Sequence, residues 1–105
     1  MLLDIHTHRN AAVSGECIFN VEPARFEPVE GCYYSVGIHP WTVLETGPED
    51  WTTLEKAVGH PSVLAIGEAG LDRLGAADIL LQKEAFVRQI LLSESVGKPL
   101  VIQDR

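Results

Sequence analysis

The sequence predicts an α/β domain built on a parallel sheet, and two observations support this prediction. First, four short apolar, β-rich segments recur along the chain, and each is typical of a strand buried on both faces; they are residues 2–5, 33–38, 63–66 and 100–102. Second, amphipathic helices are predicted between the later strands, as parallel crossover connections require. The predicted order is strand, loop, strand, helix, strand, helix, strand.

Both predicted helices have recognisable ends. The first covers residues 48–59, with Pro48 and acidic residues at its start and Gly59 at its end. The second covers residues 78–96 and stops before Gly97 and Pro99. The apolar positions expected to face the sheet are Trp51, Leu54 and Val58 in the first helix, and Ile79, Phe86 and Ile90, flanked by Val87 and Leu91, in the second.

The first connection differs from the others, because residues 9–31 contain two prolines and two glycines and show no sustained helical period. We predict a long irregular loop with at most one turn near residues 24–26. Four parallel strands form either a small open sheet or half of an eight-stranded barrel, which normally takes about 250 residues. A half barrel exposes strand edges and an apolar face, which favours a homodimer that covers them.

Composition indicates one globular domain over residues 1–105, with 46% hydrophobic and 22% charged residues. The sequence has no run of about 20 apolar residues that would span a bilayer, and no basic signal-peptide start. Its two cysteines are isolated. We therefore expect a cytoplasmic protein without a membrane segment. The net charge of −7 argues against a broad basic nucleic-acid surface, although bound divalent cations would attract a phosphate locally.

Polar residues follow the predicted strands, at the edge of a parallel sheet where functional groups collect. His6 and His8 end the first strand, and their i, i+2 spacing directs both imidazoles to one side, as two ligands of a divalent ion. The alternative is a strand that simply ends in polar residues. His39 follows the second strand in the extended geometry that Pro40 favours; we expect it to contact substrate, and a structural histidine is the alternative.

Glu68 follows the third strand, where an ionised carboxylate is costly unless it is paired or bound to metal. It is the best carboxylate ligand and catalytic candidate, and the alternative is a surface acid beside a glycine turn. Gly67 and Gly70 permit close backbone approach, and Asp72 is expected to accept hydrogen bonds that orient a histidine or hold the loop. His6, His8 and Glu68 could anchor one ion and bridge toward a second, as in two-metal hydrolases.

Several motifs together resemble the TatD-like metal-dependent hydrolases, in order and spacing along nearly the whole chain. They are DIHTH at residues 4–8, GIHP at 37–40, GEAGLD at 67–72, Gln82 with Phe86, and KPLVI at 98–102. The resemblance implies a TIM (β/α)8 barrel, of which this chain would cover the first four strands, and hydrolysis of phosphodiester bonds in nucleic acid, commonly as a deoxyribonuclease. It also implies that His6 and His8 bind one metal, that Glu68 bridges two divalent ions (Mg, Mn or Zn), and that His39 lies beside the phosphate.

The sequence departs from the family pattern in two places. Gln103 stands where the family has a metal-binding histidine after the fourth strand, and a neutral amide oxygen is a weaker ligand than imidazole. The later histidine and aspartate of the family have no counterpart in these 105 residues, so one ion or none is expected here and the chain alone is expected to have reduced or no activity.

Two other functions stay open at this stage. One is a non-catalytic half-barrel remnant that self-associates, for which Gln103 would indicate a relaxed metal site. The other is an amidohydrolase-like carbon–nitrogen hydrolase with the same His-x-His opening, although the GEAGLD motif argues against it.

Overall fold

The computed structural model describes residues 2–3, 17–75 and 77–103, and these form one sheet with two α-helices. The strands are β1 (Leu2–Leu3), β2 (Cys17–Val21), β3 (Cys32–Val36), β4 (Val63–Ala69) and β5 (Leu100–Ile102). The helices are α1 (Pro48–Ala57) and α2 (Ile79–Val96), with short 3-10 helices at Pro23–Arg25 and Pro40–Glu45.

All neighbouring strands run parallel, in the order β1-β5-β4-β3-β2. Helix α1 connects β3 to β4 and α2 connects β4 to β5, so each helix is a crossover between adjacent parallel strands. The predicted α/β class and parallel sheet are confirmed. All four predicted strands are represented: β5 has the predicted bounds, β3 and β4 differ from them by one to three residues, and the predicted end of the first strand, at residues 4–5, lies outside the described residues.

The prediction of an irregular loop over residues 9–31 was wrong at residues 17–21, which form β2, whereas the single turn predicted near residues 24–26 is present as the 3-10 helix at Pro23–Arg25. Residues 9–16 lie outside the described residues. Strand β2 has a polar residue, Asn20, as the fourth of its five residues, and this residue interrupts the apolar run by which the other strands were found. Its pairing with β3 is in register from Cys17 opposite Cys32 to Val21 opposite Val36. Tertiary pairing therefore outweighs a weak local pattern.

The hydrophobic core lies between the sheet and α1. Leu54 and Val58 have no exposed surface, and they pack with buried side chains of three strands. Those strand residues are Tyr34, Val36, Val63, Ile66, Ala69 and Leu100. Burial of one such aliphatic side chain contributes about 1.5–3 kcal/mol, so this cluster is the main source of stability in the described part of the chain.

Only part of the predicted apolar face of α2 packs against the core. Phe86 and Ile90 do so, but Ile79, Val87 and Leu91 are exposed. The buried positions are Gln82, Ala85, Gln89 and Ser93. Small residues let the helix approach the sheet closely, and the two amides bind backbone groups beyond the strand ends, which an apolar side chain could not do.

The helix ends follow the predicted signals. The Gly47 N–H donates to the Asp50 carboxylate at 2.8 Å before Pro48 begins α1. The Asp78 carboxylate accepts from the Leu80 N–H at 2.7 Å and caps α2, which ends at Gly97 with φ 71°.

The face of the sheet opposite α1 is partly open in the described residues. Tyr33 and Leu64 alternate with the core residues Tyr34 and Val63, and they are 37% and 44% exposed. The prediction that these strands are buried on both faces is therefore wrong at these positions. In a closed barrel this face would be the interior. No helix in the described ranges is long and apolar enough to cross a membrane.

Candidate functional site

The carboxyl ends of β3, β4 and β5 meet at one edge of the parallel sheet, and each carries a predicted site residue. His39 follows β3, Glu68 is the penultimate residue of β4, and Gln103 directly follows β5. The predicted ligands His6 and His8 lie outside the described residues.

His39 and Glu68 are brought together at this edge. The His39 Nε2 atom lies 3.8 Å from Glu68 Oε1, and the two side chains are 26% and 12% exposed. The backbone at His39 is extended, with φ −69° and ψ 145°, as Pro40 predicts. The sequence thus predicted the conformation of His39, and the fold places its ring beside the carboxylate.

The tautomer of His39 follows from its other ring nitrogen. The Trp41 backbone N–H donates to His39 Nδ1 at 3.0 Å, so Nδ1 must be an acceptor. In the neutral ring the proton is then on Nε2, the atom that faces Glu68. The ring therefore presents a donor toward the carboxylate and toward any anion bound beside it.

The backbone at Glu68 is held by a residue that sequence reasoning missed. Asn20 on β2 accepts from the Glu68 N–H at 3.0 Å and from the Ser35 hydroxyl at 2.9 Å through the same oxygen, Oδ1. Asn20 and Ser35 are opposite each other in the sheet. A polar residue amid apolar neighbours at 17–21 is the available signal, but the prolines and glycines around this segment predict a loop.

Asp72 joins three of the segments that surround the site. Its side chain is buried, and Oδ2 accepts from Trp41 Nε1 at 2.6 Å and from Gln103 Nε2 at 3.2 Å. The second oxygen, Oδ1, accepts from the Leu74 N–H at 2.9 Å. The loop-holding role predicted for Asp72 is thus seen in the structure, and Trp41 is the additional partner that the sequence did not indicate.

Two buried glutamines support the loops from α2. Gln82 accepts from the Asp72 N–H at 2.7 Å and donates to the Asp72 carbonyl at 3.0 Å. Gln89 makes an equivalent pair of bonds with Ile38, the residue before His39. These amides satisfy backbone groups outside the strands, where the sheet ladder offers no partner.

Glycine is required where the strand ends converge. Gly67 has φ 143°, and a Cβ atom there would overlap the Val101 carbonyl. A Cβ atom on Gly37 would lie 2.5 Å from Gly67 Cα. The close approach predicted for Gly67 is therefore present, and it brings the ends of β3, β4 and β5 together.

The described residues supply only part of a metal-ligand set. Among them, no group of three His, Cys, Asp or Glu side chains is arranged to hold an ion. Glu68 offers a carboxylate, and the buried Gln103 Oε1 accepts no hydrogen bond from the described residues, so it is a second available oxygen. Hard divalent cations accept both kinds of oxygen. The histidines of the predicted set, His6 and His8, are not among the described residues.

The fold is similar to that of a solved structure. A crystal structure of YJJV, a TatD homologue from Escherichia coli K12, superposes with a TM-score of 0.70 at 22% identity, covering 84% of this chain and 38% of that one. That structure is a TIM barrel, so the predicted barrel class is confirmed and this chain covers part of a barrel.

Proteins with similar sequences are also TatD proteins or metal-dependent hydrolases by name. An uncharacterized metal-dependent hydrolase TatD from Mycobacterium tuberculosis is 39% identical over 70% of this chain and 30% of its own length. The metal-dependent hydrolase YabD from Bacillus subtilis is 30% identical over all of this chain, and a 3′-5′ ssDNA/RNA exonuclease TatD from Edwardsiella piscicida is 32% identical over 70% of it. The chain spans 51% of the Bacillus protein and 29% of the Edwardsiella protein.

A family model described as TatD related DNase matches residues 22–105, which include every described site residue except Asn20. This range holds both the GIHP and the GEAGLD motifs. The chain belongs to the TatD related DNase family, a family of metal-dependent hydrolases.

Proposed function

We propose that this chain forms part of a divalent-metal-dependent hydrolase that cleaves phosphodiester bonds in nucleic acid. The observation that carries the proposal is the pair of His39 and Glu68, with Nε2 and Oε1 3.8 Å apart at the carboxyl edge of the sheet. The nuclease names of relatives from Edwardsiella piscicida and Cronobacter sakazakii support the substrate class.

In this proposal Glu68 would hold a metal ion together with His6 and His8, and its carboxylate would also be available to a second ion. The ions, Mg, Mn or Zn, would supply an activated water and neutralise charge on the phosphate. His39 would donate from Nε2 to a phosphate oxygen beside Glu68, because its Nδ1 is already occupied as an acceptor by the Trp41 N–H. The acidic net charge is compatible with this substrate only if the cations are bound.

The test is cleavage of fluorescently labelled single-stranded DNA by the purified chain with Mn²⁺ or Mg²⁺, with EDTA as the metal-free reference. We expect Glu68→Gln and His39→Gln each to lower the rate by at least about tenfold. Glu55→Gln is the matched control, because Glu55 is an exposed residue of α1. Cleavage that is insensitive to Glu68→Gln would contradict the proposal. Because the chain alone is expected to have reduced or no activity, Mn²⁺ binding is measured as well by titration calorimetry, and an affinity that Glu68→Gln leaves unchanged would also contradict the proposal.

A second candidate is a non-catalytic half barrel that self-associates, and the open sheet face favours it. Tyr33 and Leu64 expose apolar surface on the face that a closed barrel would cover. Sedimentation velocity would show a dimer that Leu64→Glu dissociates, without metal-dependent cleavage by either form. Lys56→Glu on exposed α1 is the control substitution and should leave the dimer intact.

A further inference from the structure

The position of His39 depends on a neighbour that contacts it in two ways. The Trp41 backbone N–H donates to His39 Nδ1 at 3.0 Å, and the Trp41 ring meets the imidazole edge to face, with centroids 5.1 Å apart and planes at 69°. Both contacts restrict rotation of the imidazole. The first also selects the tautomer with the proton on Nε2.

Packing alone does not fix Trp41, because half of its surface is exposed. What anchors it is the hydrogen bond from its indole N–H to Asp72 Oδ2, at 2.6 Å. A bond of an indole to a carboxylate is charge-assisted when the acid is ionised, and such bonds are short and strong. The indole therefore links the loop after β3 to the loop after β4.

Asp72 is itself held from three directions. Its side chain is 4% exposed, and Gln103 Nε2 and the Leu74 N–H bind its two oxygens. Gln82 of α2 binds its backbone N–H and carbonyl. These hydrogen bonds hold the buried carboxylate in one position, and its bond to the indole N–H fixes the position of Trp41 in turn.

We propose that Trp41 and Asp72 are positioning residues for His39. Asp72 holds the Trp41 indole, and Trp41 in turn holds His39 in the Nε2–H tautomer, with Nε2 facing Glu68. The functional meaning of this arrangement rests on the proposed function, in which His39 donates to a phosphate. The physical claim about the imidazole does not depend on that function, and it can be tested without substrate or metal.

The first test uses nitrogen NMR of the imidazole rings at a pH at which they are neutral. The variants are Trp41→Phe, which keeps the ring and the backbone N–H but removes the indole N–H, and Asp72→Asn. We expect the His39 resonances, assigned by their loss in His39→Gln, to show almost only the Nε2–H form in the unaltered chain. Both variants should show a mixture with the Nδ1–H form.

The chain has two tryptophans, so Trp51→Phe is a matched control. Trp51 lies in α1, with the Arg88 guanidinium 4.3 Å from the centroid of its ring, and so belongs to a different segment from the loop that carries His39. Only two indole N–H signals are expected. Asp72→Asn should shift the Trp41 indole signal and leave that of Trp51 unchanged. If Asp72→Asn does not fold, the Trp41→Phe variant alone tests the proposal. It is expected to fold, because the Trp41 side chain is half exposed and its replacement leaves the core intact.

A second readout separates this proposal from the proposed function. In the DNA cleavage assay, Trp41→Phe should lower kcat about tenfold with Mn²⁺ affinity unchanged, and Trp51→Phe should change neither. Unchanged His39 tautomer populations in both variants would overturn the positioning role. Altered tautomers in a chain without any cleavage would still support the positioning role, because the absence of cleavage concerns only the proposed function.

Discussion

The side-chain amide of Gln89 pairs with both backbone polar groups of Ile38. Oε1 accepts from the Ile38 N–H at 2.9 Å, and Nε2 donates to the Ile38 carbonyl at 3.0 Å. Gln89 has no exposed surface, and Ile38 is 3% exposed. Because Ile38 lies beyond the last residue of β3, helix α2 completes the backbone hydrogen bonding of the segment that leads to His39.

Replacement of Gln89 by leucine should therefore destabilise the protein, although the position is buried and leucine is apolar. It leaves two buried backbone groups without partners, and we expect the free energy of unfolding to fall by about 2 kcal/mol or more. Urea unfolding followed by tryptophan fluorescence measures this change. Glu94→Leu, on the exposed side of the same helix, is the control and should change stability by less than about 0.5 kcal/mol. Equal stability of the two variants would contradict the prediction.

The elements that the sequence predicted well are those with strong local signals. Pro48 and Gly97 mark helix ends, and the apolar run at 63–66 marks β4. Strand β2 was missed because Asn20 interrupts its apolar residues and because the segment around it contains the prolines and glycines typical of a loop. The buried face of α2 was missed for a related reason: glutamines are expected on the surface, and only the backbone they bind explains their burial.

Gly67 provides a second stability prediction, because its backbone has φ 143° and an added Cβ would overlap the Val101 carbonyl. Gly67→Ala should lower the free energy of unfolding by about 3 kcal/mol, from backbone strain together with the overlap. Gly59→Ala is the matched control, since its Cβ would lie 3.5 Å from the Lys56 carbonyl, an ordinary contact. Similar urea midpoints for the two alanine variants would disprove this account.

The sequence predicted which residues line the candidate site better than it predicted the hydrogen bonds between them. His39, Glu68 and Asp72 were found because each follows an apolar strand, and parallel strands bring such positions to one edge. The predicted metal and substrate roles of these residues, and the ligands His6 and His8, stay predictions. Trp41 and Asn20 were not found, because their contacts join segments distant in the chain, and no local pattern encodes a hydrogen bond between residues 41 and 72.

Gln103 offers a direct test of metal binding at the site. Its Nε2 donates to Asp72 at 3.2 Å, and its buried Oε1 has no hydrogen-bond donor among the described residues. Gln103→His should raise the affinity for Mn²⁺ about tenfold by titration calorimetry, because imidazole binds transition metals more strongly than an amide oxygen does. Gln103→Leu, which has neither donor atom, should not show the gain. Equal Mn²⁺ affinity in the histidine variant and the unaltered chain would exclude a metal at this position.

The partly buried amine of Lys98 should make the stability of the protein depend on pH in the alkaline range. Its Nζ donates to the carbonyls of Val58 and His60, which places the amine in a partly buried position between α1 and the start of β5. This burial lowers the pKa of Lys98 below its ordinary value of 10.5. In the unfolded chain the amine stays protonated up to its ordinary pKa, so between the two pKa values the unfolded state binds more protons than the folded state. The free energy of unfolding then rises with pH across that window, and the penalty for burying the charged amine applies in full below it.

The measurement is urea unfolding of the unaltered chain and of Lys98→Met, from about neutral pH up to the ordinary lysine pKa. We expect the free energy of unfolding of the unaltered chain, relative to that of Lys98→Met, to increase with pH. Only the unaltered chain buries a charged amine, and the cost of burying that charge disappears as the amine loses its proton. Comparison within this pair cancels the titration of tyrosines that both proteins share. Lys56→Met, which removes an exposed lysine of α1, is the matched control substitution. A difference for Lys98→Met that is flat, or that falls as pH rises, would show that the two carbonyls stabilise the charged amine by more than burial destabilises it.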